Sequence, residues 1–223
     1  MKKKTKKILK ITLLPLLIIV LGNIIFYVYC FLTPKLEINK SQSYYLYDNN
    51  SKLVFGNNDW ISLDKISDDL INATISTEDK YFYKHIGFDY LRIGKAAITN
   101  IINRNKSEGA STITQQYARN LFLNFDKTWK RKIDEAILAG ELEVHYTKKE
   151  ILEGYLNTIN YGGVYGIESA SKYYFDKSAS NLSLAEAALL AGIPKSPNNY
   201  SPIKNYSKAK ERQKIVLTMM KKN

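Results

Sequence analysis

Residues 127–146 read KTWKRKIDEAILAGELEVHY, and their periodicity decides the fold class. At 100° per residue, Trp129, Ile133, Ala136, Ile137, Gly140 and Val144 gather on one face. Glu135 lies on the opposite face, with Arg131, Leu138 and Leu142. A face that holds two Leu is not simply solvated, so the helix is expected to be apolar on both sides and central. The bland account of Glu135 is an i,i+4 ion pair with Arg131, worth a few tenths of a kcal/mol.

Working outward, most of the chain after Ser67 has helical period. Ser67 is a plausible N-cap for a helix to about Tyr81, and a second helix is expected over residues 91–102. Thr112 with Gln115, Thr147 with Glu150, and Ser183 with Glu186 read as capping boxes. Ile151, Leu152, Tyr155, Leu156 and Ile159 share one helical face, ordinary for a core. YGGVYG (161–166) reads as a turn, LSLAEAALLAGI (182–193) as a small helix stopped by Pro194, and the tail from about Ser207 as amphipathic. Residues 34–58 alternate polar and aromatic side chains, broken at Asn49-Asn50 and Gly56-Asn57-Asn58. They read as an extracytoplasmic stem, hairpin or extended.

The first 33 residues differ in kind. MKKKTKKILK, a basic cytoplasmic tail over 1–10, precedes 22 uncharged residues, 11–32. As a helix that run is about 33 Å long, enough for a bilayer core of about 30 Å. A transmembrane anchor is therefore expected over 11–33. Six Lys on its near side place the N-terminus in the cytoplasm, and Tyr27 and Tyr29 suit the far interface. A cleavable signal peptide is the alternative, but no small-x-small site follows.

Composition excludes little else. The 223 residues are 45% hydrophobic and 24% charged, ordinary for a globular protein. The net charge of +12 is concentrated at the N-terminus, since residues 1–40 hold eight Lys and one Glu. The rest carries 25 basic against 20 acidic side chains, so no chain-wide field for nucleic acid is expected. The single Cys30 excludes an internal disulfide.

Two stretches carry candidate chemistry. In ISTEDKYFYKH (75–85), Glu78 and Asp79 stand among apolar and aromatic residues, where carboxylates are costly to bury. They are either solvated on an aromatic-rich helix or kept there for a reaction. His85, at a helix end, more often caps carbonyls than catalyses. In EGASTITQQYARN (108–120), Ser111 and Thr112 open a helix whose N-terminus favours an anion. Gln115, Gln116, Arg119 and Asn120 cluster within its two turns, a surface suited to sugar hydroxyls and phosphate oxygens.

TEDKYFYKHIGFD (77–89), GASTITQQYARN (109–120), RKIDEAILAGELE (131–143) and KKEILEGYLNTINYG (148–162) occur in that order. Together they resemble the successive motifs of the family 51 glycosyltransferases, the peptidoglycan transglycosylase domains of class A penicillin-binding proteins and their monofunctional relatives. The likeness covers 59–223. Two departures stand out: Gly109-Ala110 where the family commonly has Gly-Gly, and a turn at NYGGVYGI about one residue shorter. With three residues after Met220, the chain looks like the monofunctional form, without a transpeptidase domain.

The resemblance implies a mainly α, lysozyme-like, two-lobed domain behind a single transmembrane helix, with its cleft facing the membrane. It implies polymerisation of lipid II, with inversion, into β-1,4-linked glycan and release of polyprenyl pyrophosphate. Glu78 matches the general base, which desolvation by its Ile, Tyr and Phe neighbours would tune. Glu135 matches the second essential carboxylate, assisting at the donor phosphate or orienting basic groups. Arg119 and Lys127 match phosphate contacts, with Arg131 and Lys132 placed to help. Asp79, Phe82, His85, Ser111, Thr112, Gln115, Gln116 and Asn120 are carried over as substrate contacts. No metal site and no cofactor are required, although Mg or Mn is expected to stimulate. The expected partners are lipid II, the growing strand, the bilayer and cell-wall synthesis proteins, at a bacterial cell membrane. A lytic enzyme on the same scaffold would not need the cation cluster. A non-catalytic cationic module would lose nothing from Glu78→Gln or Glu135→Gln.

Overall fold

The computed structural model describes residues 2–38, 46–47, 53–55, 59–103, 109–126 and 128–222, without the side chains of 2–13, 15–16, 46–47 and 53–55. The fold is mainly helical. Helix α1 (Lys2–Leu32) is followed by the only sheet among the described residues, an antiparallel pair of β1 (Leu46–Tyr47) and β2 (Leu53–Phe55). The helices then run α2 (Asp68–Glu78), α3 (Tyr90–Ile102), α4 (Ile113–Phe122), α5 (Trp129–His145), α6 (Lys148–Thr158), α7 (Ile167–Phe175), α8 (Leu184–Gly192), α9 (Pro197–Tyr200) and α10 (Tyr206–Lys222).

Local signals set most boundaries. The three expected capping boxes are formed: Thr112–Gln115 opens α4, Thr147–Glu150 opens α6 and Ser183–Glu186 opens α8. Each satisfies two of the amide donors that a helix start leaves orphaned. The turn before α7 is built on Gly162, Gly163 and Gly166, all at positive φ, where a β-carbon is strained. Pro194 does not end the chain's curl after α8, because a 3-10 turn (Ile193–Lys195) continues it.

Helix α8 packs against α2 and α10, while α4 packs against α5 and α6. Ala187, Ala188 and Ala191 of α8 are buried, so its backbone approaches its neighbours closely. One hydrophobic core joins both groups, from Leu70 and Phe82 through Ile113 and Tyr117 to Leu152, Leu156 and Leu190. Each such side chain contributes about 1.5–3 kcal/mol by leaving water. The segment before α2 is held to α6 by side chains acting as backbone partners. Glu153 accepts from the Trp60 indole at 2.9 Å and the Leu63 amide at 3.0 Å. Asn157 exchanges bonds of 2.9 and 2.8 Å with both backbone groups of Ile61.

Helix α5 is apolar on both sides for a structural reason. Glu135, Ala139 and Leu142 are buried, while Gly140 on the other face lies under Phe26 and Cys30 of α1. The His145 ring contacts the Cys30 carbonyl at 3.1 Å, and Tyr27 and Tyr90 donate to Ile86 O and Asn23 Oδ1, fastening α1 to the end of α5, to the start of α3 and to the segment before it. The run expected to be an anchor is thus helical, and its C-terminal part, through Asn23, Phe26, Tyr27 and Cys30, is docked on the domain, while Leu14, Leu17, Ile18 and Leu21 stand exposed. Among the described residues, no helix is long and apolar enough to cross a membrane.

Candidate active site

Helix α2 stops at Glu78, about three residues short of the expected end, because Asp79 is pulled across the fold. Its backbone has left the helical region, at φ −158° and ψ 75°. One carboxylate oxygen accepts from the Ile113 amide at the start of α4 (3.0 Å), and the other meets the His85 ring at 2.9 Å. Asp79 is fully buried, as is Phe82, whose ring carries the Lys148 ammonium at 4.4 Å and the edge of His85. Asp79 therefore ties the end of α2 to α4, with the His85 ring on its other oxygen and Phe82 against that ring. His85 caps no carbonyl.

Glu78 itself is 7% exposed, not solvated. Its Oε2 accepts from Nε2 of Gln116 at 3.0 Å, and its buried Oε1 has no hydrogen-bond partner. The backbone carbonyl of the same residue is held by Arg92 of α3, whose second guanidinium nitrogen reaches Gly109 O at 3.3 Å. Burial pushes the Tyr155 and Tyr161 hydroxyls up, with the Glu78 charge the next cause, so both rings stay neutral beside it.

Cations lie on both α4 and α5. Glu135 is fully buried and ion-paired with both Arg131 and Lys132. The pairing aligns two positive heads that would otherwise be free rotors. Lys132 also donates to Ser111 Oγ at 3.1 Å, which fastens α5 to the entry of α4. Arg119, half-buried one turn beyond Gln115, lies over the Phe125 ring at 5.4 Å, and its Nε is buried without a partner. Asn120 is half-buried next to it. Lys127, the remaining expected phosphate contact, lies outside the described residues.

Two other expected contacts are engaged internally. Thr112 donates to Gly87 O at 2.7 Å while capping α4, and Gln115 spends its side-chain oxygen on the Thr112 amide. The structure thus brings Glu78 and Gln116 together at one place, and Ser111, Arg131, Lys132 and Glu135 together at another. The sequence reading missed Arg92 and the Tyr155 hydroxyl, which donates to Oε1 of Gln116 at 3.3 Å. Arg92 had no motif to mark it. Tyr155 had one faint signal, a hydroxyl in a stripe otherwise made of Ile and Leu.

A family model described as Transglycosylase matches residues 50–221. The chain belongs to the transglycosylase family. Its relatives include penicillin-binding protein 2D of Bacillus subtilis, 58% identical over 73% of this chain and 24% of that protein. Penicillin-binding protein 1F of the same organism is 46% identical over 78% of this chain and 24% of the relative. Penicillin-binding protein 1A of Aquifex aeolicus is 47% identical over 72% and 22%. The chain therefore spans about a quarter of the length of the curated relatives it matches. Among solved structures, penicillin-binding protein 1A of Haemophilus influenzae aligns with 82% of this chain and 18% of its own, at 22% identity and a TM-score of 0.43. That score is too low to bear on how the helices are arranged.

Proposed function

We propose that this chain is a peptidoglycan glycosyltransferase that polymerises lipid II into β-1,4-linked glycan, inverting the donor carbon and releasing polyprenyl pyrophosphate. The observation that carries the reading is the state of Glu78: a buried carboxylate with one oxygen fixed by Gln116 and the other unpartnered. With no donor competing for it, that oxygen can take the proton of an acceptor 4-hydroxyl once bound substrate reaches it, which sharpens the attack on the donor sugar. The departing pyrophosphate needs fixed positive charge. Arg119, Arg131 and Lys132 supply it, with Lys127 as a further member, and Glu135 serves by holding Arg131 and Lys132 in place. Arg119 offers a planar fork matched to phosphate oxygens. Ser111, Gln116 and Asn120 are sugar or phosphate contacts in this reading.

The surroundings fit a substrate that stays in a bilayer. Trp129, Phe125 and Ile133 stand exposed beside the cation cluster, at 86, 69 and 59% of their surface. In the same reading α1 is a single-pass anchor with a cytoplasmic N-terminus, the domain is lysozyme-like and two-lobed, and its cleft faces the outer leaflet of a bacterial membrane. The reaction as written uses no cofactor, and Mg or Mn would act only as a helper at the phosphates. The proposal concerns this glycosyl-transfer unit alone.

Detergent-solubilised protein incubated with fluorescent lipid II is expected to give a ladder of glycan strands on a resolving gel. Folded protein that yields no ladder across several lipid and metal conditions refutes the reading.

A further inference from the structure

Behind the Glu78–Gln116 contact lies a second buried bond. Tyr155, on α6, has no exposed surface, and its hydroxyl meets Oε1 of Gln116 at 3.3 Å. Gln116 thus bridges a phenol and a carboxylate, with its oxygen toward the first and its nitrogen toward the second. Its amide has two orientations related by a half-turn. In the flipped one, the amide oxygen faces the Glu78 carboxylate, acceptor against acceptor. The Tyr155 proton is then left without an acceptor in a fully buried place, an expensive loss.

We propose that Tyr155 is a positioning residue for Glu78. By holding Oε1 of Gln116, it keeps the Gln116 amide group turned toward Oε2, so that Oε1 of Glu78 remains the free, proton-accepting atom. This rests on the reading of Glu78 as the base. The device matters most after Glu78 has taken its proton. A half-turn of the protonated carboxyl would bring its O–H to Gln116, where it can donate to an amide oxygen; that would reward a flipped Gln116 and trap the acid with its proton. Tyr155 opposes that flip, so the site returns to its starting hydrogen-bond pattern after each transfer. The phenol stays a donor throughout, because burial and the Glu78 charge both push its hydroxyl well above its ordinary range. It reaches the reaction only through Gln116, since it has no surface with which to touch substrate.

The test is a double-mutant cycle on lipid II polymerisation with Tyr155→Phe and Gln116→Leu, with thermal unfolding as a control. Tyr155→Phe is expected to lower kcat about 5- to 30-fold while KM stays within about twofold. In the Gln116→Leu background the same change is expected to cost nothing further. Wild-type kcat in Tyr155→Phe, or two losses that multiply, overturns the proposal.

A readout independent of activity separates this inference from the functional reading. The side-chain amide 1H–15N pair of Gln116, assigned by its disappearance in Gln116→Leu, is expected to move and broaden in Tyr155→Phe. An unmoved pair overturns the proposal even if the wild type proves to polymerise nothing, which by itself refutes only the functional reading. Should Tyr155→Phe fail to fold, 3,5-difluorotyrosine at 155 keeps the ring and strengthens the donor. It is expected to shift the same pair, and no shift overturns the proposal.

Discussion

Gly140 is where the N-terminal helix meets the domain, and adding one carbon there has a calculable effect. A β-carbon on Gly140 would lie 2.6 and 2.7 Å from two ring carbons of Phe26 and 2.8 Å from Cys30 Sγ. Ordinary contact begins about 1 Å further out, and the Phe26 ring is not free to swing, being packed edge-on against Tyr27 and Phe88. Gly140→Ala therefore forces α1 away from α5, an overpacking cost of about 1–3 kcal/mol. Alanine also favours helix over glycine by about 1 kcal/mol, but that gain is the same whether or not α1 is docked, so it does not offset the undocking. The ratio of undocked to docked states should rise about 5- to 150-fold. Cys30 reports it directly, as the sole cysteine of the chain and fully buried under this contact. Labelling of the detergent-solubilised protein by a small thiol reagent, followed by mass spectrometry, should accelerate by the same factor. Gly94→Ala is the control, because nothing lies within 4 Å of a β-carbon there. Wild-type labelling of Gly140→Ala, or equal acceleration in the control, refutes the docking argument.

Three further outcomes follow from the same geometry. A β-carbon at Gly154 would come within 2.0 Å of the Tyr117 hydroxyl in the core, so Gly154→Ala should cost at least about 1–3 kcal/mol and lower Tm by about 3–10 °C; an unchanged melt contradicts the packing. Hydrogen bonds from Lys177 first, then Ser183, hold the Glu186 carboxyl at about 2, below its ordinary 4.5. Its contribution is therefore present above about pH 4.5 and lost as pH falls toward 2. Wild type should melt above Glu186→Gln at pH 7 by about 0.5–1 kcal/mol, converging in acid, and a gap that persists at pH 2 contradicts the assignment. Glu135→Gln releases Arg131 and Lys132 from their shared carboxylate; a rise in KM for lipid II with a fall in kcat of at least about tenfold is expected, and unchanged kinetics refute a role for the cluster.

What the sequence disclosed follows the range of the interactions involved. The three capping boxes lie within four residues of themselves, so they were legible as strings. The two apolar faces of α5 were legible from period alone, but periodicity names a face without naming what covers it. Only the fold shows that Gly140 meets α1. The end of α2 was misplaced for the complementary reason. Asp79 leaves the helix to bond Ile113, 34 residues away, and no local pattern carries that. The same long reach explains why Asp79, grouped with substrate contacts by resemblance, is found bonded to the start of α4, with the His85 ring on its other oxygen. Tyr155 was read as one more core residue of α6. Its ring does belong to the core, and its hydroxyl meets Gln116 of α4, a long-range contact that no period marks.

The most direct test of the whole account is Glu78→Gln assayed beside wild type on fluorescent lipid II, with matched thermal unfolding. The account predicts a glycan ladder from the wild type and none from the variant, with both proteins folded. A ladder of equal strength from both would contradict the central claim that the buried, half-satisfied carboxylate of Glu78 takes the acceptor's proton.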